Sequence, residues 1–281
     1  MKYRKPITTM YFKIKQLILS LLKLTHIILL KLPRGRFILS EFLEYQISRS
    51  TKVDIPEGEI TFLTPNWLTF YRANTFFSKE PETISWIRSM RTTDLLWDIG
   101  ANVGTYSIFA ARRGLDVVAI EPSFLNLEIL CRNIIANNLE DKVIVFPIAL
   151  DSQAGVQKLF MSKENMLIGG AHNSIRQELN QFGNKMENSQ VLHWPTLTID
   201  RFAQLFGLKN PTHIKIDVDG CELEILQGGI GVLNKVSSIL VEMHEENPSS
   251  ELIEKLLTSL GFISTRHQSN DSFNRIWKKI R

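Results

Sequence analysis

Residues 95–104 read Leu-Leu-Trp-Asp-Ile-Gly-Ala-Asn-Val-Gly, an apolar run that ends in an acidic residue and two glycines. Leu95, Leu96, Trp97 and Ile99 give the continuous apolar character of a strand buried on both faces of a parallel sheet. Gly100 and Gly104 lack a Cβ, so the chain can bend sharply there and a ligand can approach the main chain. Asp98 stands near the carboxyl end of the strand, where open α/β sheets bind their ligands. Tyr106, Ile108, Phe109, Ala110 and Ala111 supply the apolar face of a following helix. After a break at Arg113-Gly114, a second apolar strand, Val117 to Ile120, ends in Glu121-Pro122. An acid at the end of the second strand is where nucleoside-binding folds grip ribose hydroxyls. The segment reads as strand, turn, helix and strand, with Asp98, Gly100, Gly104 and Glu121 as nucleoside-binding candidates.

The glycine spacing narrows the choice of nucleoside. A dinucleotide fingerprint has three glycines, G-x-G-x-x-G, and its middle glycine lets a pyrophosphate approach the turn. Here the turn is Gly100-Ala-Asn-Val-Gly104 and that glycine is absent, so a cofactor without phosphates, S-adenosylmethionine, suits it better. Asn102 is a candidate contact for the cofactor's amino-acid end, and asparagine also tolerates a left-handed turn position.

The stretch from Trp97 to Asn138, "WDIGANVGTYSIFAARRGLDVVAIEPSFLNLEILCRNIIANN", together with the later "TLTIDRF", "HIKIDVDGCELEILQGG" and "ILVEMH", resembles the FkbM family of S-adenosylmethionine-dependent methyltransferases. The resemblance covers about residues 76–266, with its blocks in the family's order and spacing. It implies an α/β class I methyltransferase fold, a Rossmann-like seven-stranded sheet with helices on both faces, and O-methylation of hydroxyls on sugars or polyketide-like products. One departure stands out: the family's "DvEG" is "DVDG" here, so Asp219 presents its carboxylate one methylene shorter. The competing readings are a nicotinamide-dependent oxidoreductase, which the missing glycine and the later blocks disfavour, and a non-catalytic Rossmann-like binding protein tethered to a membrane.

The rest of the core alternates as a parallel-sheet domain should. Strands are expected near 95–99, 116–121, 142–149, 213–218, 237–243, 261–266 and 273–279, the last antiparallel as in the methyltransferase class. Helices are expected near 104–113, 124–137, 198–206, 221–230 and 249–260. Moving a methyl group to a weakly acidic alcohol calls for a general base within hydrogen-bond reach. The fourth strand delivers Asp217 and Asp219 near its carboxyl end, and the fifth delivers Glu242 and His244. Residues two apart on a strand share a side, so Lys215, Asp217 and Asp219 form one group and Glu242 and His244 another. His244 is the first choice of base, since an ordinary histidine takes up a proton near neutral pH, with Asp217 and Asp219 as alternative bases or hydroxyl-orienting groups. No metal is expected; Asp217, Asp219 and Glu242 would all have to be ligands to make a metal-assisted route work. Residues 161–194 form a long polar insertion, read as a lid and substrate loop with Gly169-Gly170 as hinge, and His172, His193 and Trp194 as candidate substrate contacts.

Length and composition permit one catalytic domain with an appendage. The boundaries read as 1–36, a basic apolar N-terminal helix; 37–91, an extension with a hairpin of "EITFL" and "WLTFY" and a lead-in helix opening at Pro81; and 92–281, the methyltransferase domain. Cys131 and Cys221 lack metal-ligand spacing and are read as reduced, with Cys221 a small packed residue. Residues 1–52 hold eleven Lys/Arg against two acids, a net of +9, while the remainder carries −5. Nucleic acid is not an expected partner, because the basic segment interleaves its lysines with Leu and Ile and the catalytic body is acidic. The apolar run Gln16–Leu32, flanked by lysines and arginines, is short for a membrane span and carries Lys23 and His26. It reads as a peripheral contact with a membrane through residues 10–36, at the inner surface of a cytoplasmic membrane, or as a helix packed on protein. A small-molecule or glycan substrate is expected; oligomeric state is not legible.

Overall fold

A computed structural model of the chain describes residues 5–162, 167–171, 173–176, 178, 184–186, 189–244, 246–265 and 273–279. It divides into two compact units, Met1–Arg49 and Ser50–Arg281. The first is a pair of helices, α1 (Lys5–Lys31) and α2 (Gly35–Ile47), separated by Arg34 in a left-handed conformation. Leu17, Leu21, Leu22, Leu24, Ile27 and Ile28 of α1 are all exposed.

The second unit opens with an antiparallel hairpin, β1 (Ser50–Ile55) and β2 (Gly58–Leu63). "EITFL" lies in β2 as expected, but its partner is β1, and "WLTFY" is not a strand: it opens helix α3 (Trp67–Asn74). The cause is a capping box. Asn66 accepts from Thr69 N at 2.9 Å while Thr69 Oγ1 accepts from Asn66 N at 3.3 Å, which satisfies two otherwise orphaned N–H groups. Helix α4 (Pro81–Arg88) has Pro81 at its first position, where a missing N–H costs nothing.

The core elements then follow in sequence: β3 (Leu95–Ile99), α5 (Thr105–Arg112), β4 (Asp116–Ile120), α6 (Phe124–Ala136) and β5 (Val143–Phe146). Next comes a second group, β6 (Ala149–Leu150), β7 (Gly155–Ser162), β8 (Asn173–Ile175) and β9 (Ser189–Leu197). The main sheet resumes after α7 (Ile199–Leu205) with β10 (His213–Ile216), α8 (Glu222–Gln227), α9 (Ile230–Leu233) and β11 (Ser238–Glu242). It closes with α10 (Ser249–Ser259), β12 (Phe262–Thr265) and β13 (Asn274–Lys279). The seven-stranded order is β12-β13-β11-β10-β3-β4-β5, with β13 antiparallel to both neighbours and β11, β10, β3, β4 and β5 parallel. This is the expected seven-stranded α/β sheet, and every expected core strand and helix is present within a few residues.

Alternation along the strands divides the core into two layers. Trp97, Ile99, Val118, Ile214 and Val241 face Phe202 of α7, Leu226 of α8 and Leu257 of α10. Leu96, Val117, Ala119 and Leu240 face Trp86 of α4, Phe109 of α5 and Leu130 of α6. The helices thus cover both faces. The hairpin is tied in by two buried asparagines one turn apart on α6: Asn133 Oδ1 accepts from Leu63 N at 2.7 Å, Asn137 Oδ1 accepts from Thr61 N at 2.9 Å, and Asn137 Nδ2 donates to Thr61 O at 2.7 Å. These amides satisfy backbone groups that a further strand would otherwise have to pair.

Two expectations need correction. The strand expected over 142–149 breaks at Pro147, which has no N–H for a ladder, so that Ala149–Leu150 leaves the main sheet and pairs with β9. The insertion expected over 161–194 is, in its described residues, no free loop: β6, β9, β7 and β8 form a four-stranded sheet in that order.

Candidate active site

The turn after β3 is built as its sequence requires. Gly100 (φ +81°) and Ala101 both donate to Ile120 O, at 2.9 and 3.1 Å. A Cβ on Gly100 would lie 1.9 Å from Asp217 O. The missing side chain therefore lets β3 and the end of β10 close against each other. Gly104 (φ +86°) plays the same part against Leu130 of α6.

Asn102 takes the left-handed position with φ +52°. Its N–H donates to Glu121 Oε2 at 2.8 Å, Ser123 N donates to Glu121 Oε1 at 2.8 Å, and its own amide is used by Val103 N and Gly170 O, each at 2.9 Å. Glu121 is buried at the carboxyl end of β4. Burial pushes its carboxyl up to about 7, against the lowering effect of these N–H donors.

Asp98 is buried too. Its Oδ2 accepts from Ser107 Oγ at 2.6 Å and its Oδ1 lies 3.7 Å from Lys215 Nζ. The pairing follows from register, since Asp98 and Lys215 are partners across β3 and β10. Lys215 Nζ also sits 2.7 Å from Asp217 Oδ2 and 5.2 Å from the centre of the Tyr106 ring. Burial disfavours the ammonium, but Asp217 and Asp98 outweigh it and raise Lys215 above the ordinary lysine value. In return, and against its own burial, Lys215 holds Asp217 at about 2.

Two cavities flank Gly100. One is apolar and small, about 30 Å³ in volume, lined by Ile99, Ile120, Pro122, Ile148, Ala149 and Val218, with the buried Cys221 thiol, raised by burial, at its wall. The other is polar, about 150 Å³ in volume, and lined by Asp217, Asp219, Glu242, Arg72 and Lys79. Asp219 holds a left-handed φ of +59°, a conformation aspartate adopts more readily than most residues. The next helix has Cys221 at its N-cap with no side-chain cap, and Glu222 Oε1 accepts from Gly220 N, just before it, at 3.0 Å.

Glu242 enters the cavity from β11, and burial, followed by the charge of Asp217, pushes it up to about 7. His244 does not line that cavity. It is buried, with Nε2 3.7 Å from Glu242 Oε2 and its ring 4.2 Å from that of Phe273, and Glu242 raises it above the ordinary histidine value. β11 ends at Glu242, so strand alternation no longer governs where His244 points. Asp217 and Asp219 thus come together with the glycine turn, whereas His244 stands beyond Glu242.

The segment 167–171 lies across the turn. Gly169 N donates to Asn126 Oδ1 at 2.9 Å, Asn126 Nδ2 to Gly170 O at 3.2 Å, and Asn66 Nδ2 to Ile168 O at 2.9 Å. Arg72 Nε and Nη2 both reach Gly169 O, at 3.0 and 2.9 Å. The pair read as a hinge is therefore an anchored crossing. Among the proposed substrate contacts, His193 is exposed on β9 and Trp194 packs against the core; neither lines either of the two cavities at Gly100. His172 lies outside the described residues. Sequence reasoning did not reach Arg72 and Lys79, which come from the segment before the sheet, and it placed Glu242 beside His244 without making it a candidate base. The one available signal for Glu242 was its position at the end of the strand next to Asp217.

Comparison with known proteins gives a match of residues 98–264 to the Methyltransferase FkbM domain. Hexuronic acid methyltransferase AglP of Haloferax volcanii is 26% identical over 151 residues, 54% of this chain and 56% of the relative. The chain thus spans a little over half the length of that protein. Methyltransferase sdnD of Sordaria araneosa is 26% identical over 219 residues, 68% of this chain and 83% of the relative. The crystal structure of Methyltransferase FkbM from Methylobacillus flagellatus KT is similar with a TM-score of 0.47 at 16% identity, covering 87% of this chain and 59% of that one.

Proposed function

The chain belongs to the FkbM family of methyltransferases, and on that premise we propose that it transfers the methyl group of S-adenosylmethionine to a hydroxyl of a sugar in a glycan, glycolipid or related natural product. The observation that carries this reading is the pair of cavities meeting at Gly100, one apolar and one lined by charges of both signs. An adenosine with a zwitterionic amino-acid tail calls for that combination, the small apolar cavity widening to admit it, and Glu121, between Ile120 and Pro122 of its wall, retains lone pairs for ribose hydroxyls. The sugar acceptor is supported by the relative named as a hexuronic acid methyltransferase.

When bound, the cofactor supplies an electrophilic methyl on a sulfonium sulfur. The chain's own residues must hold the acceptor oxygen in line and take its proton. Glu242, raised to about 7, is poised to accept that proton at neutral pH. Asp217, kept ionised by Lys215, raises the proton affinity of Glu242, and Asp219 orients the acceptor hydroxyl. His244 acts through Glu242 as a positioning residue. Two carboxyls whose surroundings drive their proton affinities apart have the character of an assigned base and an assigned anion.

Calorimetry with S-adenosylhomocysteine tests the donor: micromolar binding, with none for NADH, is expected, and the reverse pattern would defeat the reading. Transfer of labelled methyl from S-adenosylmethionine to free sugars and to glycolipid extracts tests the acceptor; label appearing only on protein or nucleic acid would rule out a sugar.

We also propose that α1 lies on an anionic lipid surface, because its leucines and isoleucines are exposed on a helix that carries Lys23 and Lys31. No helix among the described residues is long and apolar enough to cross a membrane. Deletion of residues 1–36 should abolish flotation with anionic vesicles; unchanged flotation would refute the contact.

A further inference from the structure

Arg72 and Lys79 have no part in the proton chemistry above, yet both line the polar cavity and both act on the charge of Asp217. They come from helix α3 and the turn after it, outside the segment that forms the cofactor turn. Asp217, Asp219 and Glu242 alone would make the cavity hostile to any anion. The two cations bring positive charge into the same lining.

Gly100 and Asn102 of the cofactor turn line this same cavity. A ligand whose adenosine occupies the apolar side of Gly100 must therefore lead its amino-acid end in here. That end carries an ammonium and a carboxylate. The ammonium has Asp217 within its reach, already charged at neutral pH. The carboxylate requires cationic donors, and Arg72 and Lys79 are those in the lining.

We propose that Arg72 and Lys79 form the carboxylate clamp of the methyl donor, so that the N-terminal part of the catalytic unit completes the cofactor site. Arg72 is already held in place, since its Nε and Nη2 hold Gly169 O at 3.0 and 2.9 Å. The remaining guanidinium nitrogen then belongs to a side chain that has lost its freedom, which lowers the cost of ordering it on binding. Lys79 pairs with Glu80 at 2.9 Å, and an ammonium can serve both carboxylates because it has three donors. Through Gly169 the clamp also couples donor binding to the crossing segment 167–171.

The inference rests on the donor reading, and its test separates the two. Calorimetry on the full-length protein compares S-adenosylhomocysteine with its decarboxylated analogue, S-adenosyl-3-thiopropylamine, which keeps the ammonium. The parent protein should prefer S-adenosylhomocysteine by about 10- to 100-fold, the range of hydrogen bonds to a charged group. Lys79→Met should cut that preference several-fold and Arg72→Gln with Lys79→Met should erase it, in each case by weakening S-adenosylhomocysteine alone; Arg72→Lys should restore part of it. A preference that survives the double substitution overturns the clamp and leaves the two cations for an acidic acceptor. Equal weakening of both ligands overturns it as well, since Arg72 would then act only by holding Gly169. Lys79→Met does not disturb Gly169, so it decides the matter even if the Arg72 variant fails to fold. Absence of S-adenosylhomocysteine binding to the parent protein would instead sink the donor reading itself.

Discussion

Lys215→Met removes the cation between Asp98 and Asp217 while keeping the length and much of the volume of the side chain. In the parent protein Lys215 is 1% exposed, 2.7 Å from Asp217 and 3.7 Å from Asp98. The distance between an ordinary aspartate value of 3.8 and the value of about 2 held by Asp217 is worth about 2 to 3 kcal/mol. Removing one partner of a buried pair costs roughly 3 to 5 kcal/mol in general, so about 3 kcal/mol is the expected loss at pH 7. For a catalytic unit of this size that lowers the melting temperature by about 6 to 12 °C. The pH dependence fixes the cause. Because the folded value of Asp217 is depressed, its contribution is present above the unfolded value and is lost as pH falls through about 2. In the variant the carboxyls near position 215 prefer their protons, so acidification from pH 7.5 to 5.5 should relieve the variant and narrow its gap to the parent. Differential scanning calorimetry at those two pH values reads both effects. A melting temperature within 2 °C of the parent at pH 7.5, or a gap that widens on acidification, would refute the claim that this lysine holds the site's charge.

Three further outcomes follow from the same geometry. Glu242→Gln should lower turnover by about 10²- to 10⁴-fold with S-adenosylhomocysteine affinity unchanged, and should abolish the fall in parent activity below pH 7, where a carboxyl raised to about 7 takes up its proton; a retained acid limb would exclude Glu242 as the base. Gly100→Ala, whose Cβ would meet Asp217 O at 1.9 Å at a φ of +81°, should cost about 1 to 2 kcal/mol for the left-handed backbone alone and more for the forced separation of β3 and β10, so a thermal melt within 3 °C of the parent would contradict the packing. Asn66→Ala should lose about 1 kcal/mol of cap stability and, by releasing Ile168 O, speed proteolysis within 167–171; unchanged cleavage would show that the crossing does not depend on Asn66.

What the sequence disclosed and what it concealed divide along a physical line. The turn at residues 98–104 was legible because its requirements are local: a strand, two positions that exclude a side chain, and an acid at the end of the next strand. The order of core elements was legible for the same reason, since periodicity and Gly or Pro punctuation act over a few residues. "WLTFY" misled because its short apolar pattern fits a strand as well as a helix, and the deciding contact is the exchange between Asn66 and Thr69. Arg72 and Lys79 were hidden by the same misreading, since they reach the cavity only once α3 has formed and the segment 167–171 has crossed over it. His244 was placed ahead of Glu242 on intrinsic proton affinity. Burial and the neighbouring Asp217 raise the Glu242 carboxyl toward neutrality, and Glu242 rather than His244 lines the cavity.

The closeness of Glu242 to Asp217 is a consequence of register. Ile216 of β10 pairs with Val241 of β11 in a parallel ladder, so the next residue on each strand, Asp217 and Glu242, emerges beside the other at the carboxyl edge of the sheet. Two ionised carboxylates held together there would repel, and without another charge neither would be the preferred proton carrier. The asymmetry comes from one strand position: Lys215, two residues before Asp217 and in register with Asp98, binds Asp217 and not Glu242. Asp217 is thereby fixed as the anion, and its charge adds to burial in raising Glu242 toward neutrality. The division between a permanent charge and a proton acceptor is thus set by the order β11-β10-β3. Exchanging the roles would require moving the lysine, and substituting either acid alone would leave the other without its assignment.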